Sequence, residues 1–141
     1  MHWRIQKKIF LVKLIKFHHT EIANGKMASE KEMSHDVKVF AIFMVADHTT
    51  MLKASNAFVP KAELYPKVQI NYESNKLKSK KTDEFEKSYI DNEVAVHERM
   101  VKMMKKALPK IKDMKFKKFA EETATKLVRH LDHALKVQKS M

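Results

Sequence analysis

From Thr82 to Leu108, and again from Lys110 to Met141, the chain contains neither glycine nor proline. One glycine, Gly25, and three prolines, Pro60, Pro66 and Pro109, are the only breakers in 141 residues. In a helix interior these residues cost about 1 kcal/mol (Gly) and about 3 kcal/mol (Pro) relative to alanine. Their scarcity, beside abundant Lys, Glu, Ala, Leu and Met, predicts an almost wholly helical chain. The length allows one domain with a sizeable core. Ten Met and eight Phe provide long, adaptable side chains to fill it.

Four helical segments are expected, at about 4–32, 35–58, 82–108 and 113–138, with a long connection over 59–81. Ser34 is the expected N-cap of the second segment, and Asp36 places an acid in its first turn. Pro60 and Pro109 end the second and third segments. Gly25 is a position where a neighbouring helix can come close.

Apolar residues recur at helical spacing. In the second segment the stripe is Val37, Phe40, Ala41, Met44, His48, Met51 and Leu52, with Asp47 on its flank. In the third it is Phe85, Tyr89, Val96, Met100 and Met104, with Glu93 central and His97 near the edge. In the fourth it is Phe116, Phe119, Ala120, Thr123, Leu127, Leu131 and Ala134, with His130 on the edge and His133 further out. The first segment is apolar at too many positions for one clear face. Its best stripe is Leu11, Leu14, Ile15, His18, Ile22 and Gly25, with Glu21 beside it.

The polar members lie at matching levels. His18 and His48 are both about 15 residues from the turn near Ser34, or ~22 Å at the helical rise. Glu93 and His130 are both about 18–19 residues from the turn near Ile111, or ~28 Å. The expected fold is therefore all-α: an antiparallel four-helix bundle with a polar layer across its middle. A connection of about 22 residues is long enough for either a ferritin-type or an up-down topology.

The runs "TEIANGKMASEKEMSHDVKVFAIFMVADHT", "FEKSYIDNEVAVHERM" and "FAEETATKLVRHLDHALKVQ" resemble the bacterial domain-of-unknown-function family 4142 over roughly residues 17–139. The resemblance implies a ferritin-like fold and export to the periplasm or outer membrane. Its recurrent polar positions fall on Glu21, Asp47, His48, Tyr89, His97 and His130. The basic start of this chain does not read as a signal peptide, because Lys13 and Lys16 break its apolar run. No stretch of about 20 apolar residues is present to span a membrane.

The layer admits two readings. As a metal site, Glu21, Asp47, His48, Glu93, His97 and His130 would hold one divalent transition ion such as zinc. As structure, His18, Asp47, His48, Tyr89, His97 and His130 would pair across helices and fix their register. A di-iron centre is not expected, because that chemistry uses Glu-x-x-His on two helices. The sole such motif is Glu32 to His35, at a turn. The absence of cysteine excludes disulfides and thiolate ligands. Acid–base catalysis by Asp47 with a histidine is conceivable. With no nucleophile pattern or glycine-rich phosphate cradle, the chain reads as a binding protein rather than an enzyme, and no catalytic residue is assigned.

A second reading concerns charge. The net charge is +12, and residues 102–118 hold eight lysines against one aspartate. Lys102, Lys105, Lys106, Lys110, Lys112, Lys115, Lys117 and Lys118 form a basic end suited to anionic lipid, an acidic protein or nucleic acid. Arginine is scarce, so nucleic-acid contact would be non-specific and salt-sensitive. Partner identity and self-association stay open at this point.

Overall fold

The computed structural model describes residues 2–31, 33–59 and 82–141. Four α-helices occur among them: α1 (His2–Glu30), α2 (His35–Asn56), α3 (Thr82–Ala107) and α4 (Met114–Ser140). A 3-10 turn, Leu108–Lys110, joins α3 to α4, with Pro109 at its start. The connection expected over 59–81 lies, from residue 60 onward, outside the described residues.

Local chemistry explains the helix starts unequally. The Asp113 carboxylate accepts the backbone N–H groups of Lys115 and Phe116 at 3.0 and 3.2 Å. It thereby satisfies donors that the first turn of α4 leaves open. The same bonds hold its carboxyl below the usual aspartate range. Ser34 behaves differently from expectation. Its hydroxyl makes no cap bond. Its backbone N–H instead donates to the Glu86 carboxylate of α3, so the start of α2 is tied to a neighbouring helix.

Aromatic contacts fix the topology. Phe10, early in α1, packs edge-on against Phe116, early in α4, with ring centroids 5.7 Å apart. Phe58, just past the end of α2, meets Phe116 and Phe119 at 5.2 and 4.8 Å. Lys7 pairs with Asp113 at 3.8 Å. At the opposite end Phe40, early in α2, meets Tyr89 of α3 at 6.0 Å and His133, late in α4, at 5.0 Å. The Lys31 ammonium, just past α1, sits 4.9 Å from the Phe85 ring centroid in α3. Helices α2 and α3 therefore run parallel, and α1 and α4 run against both. Each of α1 and α4 packs on α2 and on α3, which leaves α2 and α3 on a diagonal. This is the ferritin-type arrangement, not an up-down bundle.

The apolar core falls into two clusters. One contains Ala28, Val37, Phe40, Ala41, Met44, Phe85, Tyr89, Ile90, Val94, Ala134 and Val137. The other contains Phe10, Leu11, Leu14, Met51, Val101, Met104, Ile111, Phe116, Phe119, Ala120 and Leu127. Some expected core positions, Ile22, Leu52, Val96, Met100 and Leu131, are only partly buried. Ile90, Val94 and Val101 take the inner face of α3 instead.

Gly25 lies where α1 and α2 cross. A Cβ there would meet Val45 Cγ2 at 2.8 Å and the Ala41 carbonyl oxygen at 3.1 Å. The carbonyl belongs to backbone and cannot swing aside. Gly25→Leu should therefore cost about 1–3 kcal/mol through overpacking. That outweighs the gain of up to about 1 kcal/mol in helix propensity. Urea denaturation should show a lower midpoint with an unchanged slope; an unchanged midpoint would mean the crossing is not tight.

Candidate metal centre

Between the two apolar clusters every helix turns polar groups inward. On α1, His18, Glu21 and Asn24 follow one another at a spacing of three and share the inner face. On α2, His48 lies between Met44 and Met51. On α3, Glu93 and His97 are one turn apart, and α4 supplies His130. Of His18, Glu21, Asn24, His48, Glu93, His97 and His130, none exceeds 4% exposure.

Hydrogen bonds set the tautomers. His97 Nδ1–H donates to the Glu93 backbone carbonyl at 2.8 Å, so its Nε2 carries a lone pair. His130 Nε2–H donates to Asp47 Oδ2 at 2.7 Å, so its Nδ1 carries one. His18 Nδ1 and His48 Nδ1 lie 2.8 Å apart and share one proton between them. When His48 is the donor of that bond, its Nε2 is free to coordinate. Glu21 Oε1 stands 3.8 Å from both His48 Nε2 and His97 Nε2.

Burial governs the protonation. It draws the His18 imidazole down to about 3, helped by the nearby His130, His19 and His97. It pulls His48 well below its ordinary value, with the neighbouring imidazoles adding to the effect. His97 and His130 are lowered by burial too, against the opposing pull of Glu21 and Asp47 respectively. All four rings are therefore neutral near pH 7, the form that binds metal. Burial also raises the Glu93 acid well above its usual range, and the adjacent Glu21 carboxyl raises it further.

Two overlapping groups could hold a metal ion: His48, His97 and His130, and Glu21, Glu93 and His97. Within each, one donor atom per residue lies within 4.8 Å of the others. Three buried ring nitrogens here have no hydrogen-bond partner, His48 Nε2, His97 Nε2 and His130 Nδ1, and the buried Glu21 and Glu93 carboxyls have only each other. At about 1–3 kcal/mol per unsatisfied buried group, these ring nitrogens alone would cost several kcal/mol. A whole domain is stable by only about 5–15 kcal/mol. The lone pairs of His97, His130 and Glu21 are all acceptors. One water has two hydrogens to offer them, while a cation can take them all. Because His97 Nε2 belongs to both groups, the arrangement suits one ion. Three imidazoles and two carboxylates do not match the four carboxylates and two imidazoles of a di-iron bundle.

The structure thus brings together Glu21, His48, Glu93, His97 and His130. Asp47 stands apart, behind His130 and with its side chain 45% exposed. It holds the His130 ring from outside the cluster. His18 bonds His48 and sits behind it in the same way. Tyr89 stacks on Phe85 at 5.9 Å, and its buried phenol makes no hydrogen bond. Burial and the two glutamates push that phenol well above its ordinary value. Glu21 and His97 are more central than their stripes suggested. The sequence reading missed Asn24, although the His18, Glu21, Asn24, Ala28 spacing was there to find. It also missed Phe17, whose ring lies 5.2 Å from His48 and 5.3 Å from His97 and covers the centre. Of the eight lysines in 102–118, all but the half-buried Lys117 are exposed.

Fold and site together define a ferritin-like four-helix bundle with a buried histidine–glutamate centre. The chain belongs to the DUF4142 family, a domain of unknown function whose model matches residues 4–137. A solved structure, a DUF305 fragment from Deinococcus radiodurans, is similar with a TM-score of 0.81 at 12% identity. The match covers 96% of this chain and 97% of that one. At that identity the likeness concerns the fold alone. No curated protein matches the chain. Among the described residues, no helix is long and apolar enough to cross a membrane.

Proposed function

We propose that this protein is a metal-binding bundle of the cell envelope, whose centre holds one divalent first-row transition ion. The ligands are His48 Nε2, His97 Nε2, His130 Nδ1 and the carboxylates of Glu21 and Glu93. Asp47 and His18 fix the rings of His130 and His48 from behind. The carrying observation is the convergence of buried imidazole lone pairs and carboxyls from four helices, with three ring nitrogens left without a donor. Mixed imidazole and carboxylate ligands suit zinc, manganese or iron more than a soft ion. Up to five protein ligands leave little room for a substrate, which favours binding over turnover. The envelope location and a stress-associated role rest on the family resemblance.

A purely structural layer is the competing reading. The His18–His48 and His130–Asp47 bonds favour it, but they leave His48 Nε2, His97 Nε2 and His130 Nδ1 unmet.

Mass spectrometry of untagged protein, exposed to iron, zinc, manganese and copper and then desalted, decides between the two. About one equivalent in the wild type, lost in His48→Ala, is the expected result. No retained metal in either protein would make the layer structural.

A further inference from the structure

At the basic end of the bundle, α1 and the end of α3 leave an open cleft of about 260 Å³ between them. Its walls are Ile9, Phe10, Met103 and Ala107, and its rim carries Lys13, Lys106 and Lys110. Ile9 is 50% exposed, beside the buried Phe10. None of the three lysines forms an ion pair with a described residue. The nearby acid, Asp113, is taken by Lys7. Among the described residues no acidic side chain lines the cleft. Three unneutralised cations around an apolar floor match one ligand chemistry: an anionic head with an alkyl chain attached.

We propose that this cleft binds a single-chain anionic amphiphile, its carboxylate or phosphate held by Lys13, Lys106 and Lys110 and its chain laid over Ile9, Phe10, Met103 and Ala107. The volume lies just below the usual range of ligand pockets, so the cleft seats the head and the first part of the chain, and the later methylenes run on over the exposed Ile9. A bare anion would leave the apolar floor wet. A neutral chain would leave the lysines unpaired. The two halves of the site therefore predict different dependences. Salt weakens the head contact. Each buried methylene tightens binding by up to about fourfold, the equivalent of ~0.8 kcal/mol. The site does not depend on the metal centre, since Lys106 is nine residues beyond His97, or ~13 Å along α3.

The test is calorimetric titration of the full chain with dodecanoate below its critical micelle concentration, beside octanoate, butanoate and inorganic phosphate. Saturable binding of one dodecanoate is expected, at least tenfold tighter than octanoate and absent for butanoate and phosphate. The combined variant Lys13→Gln, Lys106→Gln, Lys110→Gln should weaken it at least tenfold. These lysines are exposed, so the fold is retained, as circular dichroism would verify. Ile9→Gln should weaken dodecanoate more than octanoate. Equal binding of phosphate and dodecanoate would reduce the cleft to a general anion patch and overturn the proposal. So would no saturable binding, unchanged binding by the triple variant, or attachment to phosphatidylglycerol vesicles without any binding of the monomer.

Discussion

Adding zinc to chelator-stripped protein should raise its thermal midpoint sharply. At a free concentration one hundred times Kd, binding to the folded state alone contributes about 2.7 kcal/mol. For a chain of this size that corresponds to roughly 8–12 °C. The gain is large because the stripped centre holds the groups whose desolvation is least compensated. Glu21→Gln separates metal binding from packing. It keeps the shape of the side chain and removes the charge that lies 3.8 Å from two imidazoles. The stripped variant should be as stable as the stripped wild type or more so, because a buried carboxylate crowded against the Glu93 carboxyl has gone. Its zinc-induced shift should shrink to a small fraction. Scanning calorimetry of both proteins reads this directly. Equal shifts in wild type and variant would remove Glu21 from the site.

The second large effect is the pH dependence of the stripped protein. In the unfolded chain the histidines titrate near 6.5; in the fold His18 is drawn to about 3, and His48, His97 and His130 are also lowered. Below pH 6.5 the unfolded state thus binds more protons than the folded one, and stability falls as acid is added. Each such histidine contributes up to about 1.4 kcal/mol per pH unit over its window. Glu93 acts in the opposite sense. Its folded value lies well above its ordinary 4.5, so above that pH the folded state holds a proton the unfolded state has released. Stability due to Glu93 therefore declines as pH rises. Four histidines outweigh one glutamate from pH 4.5 to about 7, where roughly a quarter of each unfolded imidazole is still protonated, and the glutamate's decline dominates above. Stability of the stripped protein should peak near pH 7, falling steeply on the acid side and gently on the alkaline side. Urea midpoints from pH 4.5 to 8.5 measure the curve, and a flat profile would mean the rings are solvated.

Helices and layer could be anticipated because both rest on arithmetic that local sequence contains. Apolar spacing identifies the inner face of α2 and α4, and the rise per residue puts His18 level with His48. Their ring nitrogens are indeed 2.8 Å apart. Rotation of α1 was not available in the same way. Apolar residues surround that helix, so nothing in the pattern said that Glu21 faces the axis. His97 was misjudged for a related reason. Its flank of α3 is covered by Phe17 of α1, and cover by another helix is a tertiary fact. The partner of Asp47 depended on topology. In an up-down bundle α2 would neighbour α3. The ferritin-type order places α4 beside it instead, and so delivers Asp47 to His130.

That order has a further consequence. The hairpin of α1 and α2 carries Glu21 and His48; the hairpin of α3 and α4 carries Glu93, His97 and His130. Each hairpin is an incomplete chelator, weak alone and strong only once docked on the other. An ion bound there would act as a mechanical clasp between two halves of the molecule. Its departure would loosen the joint along that same seam.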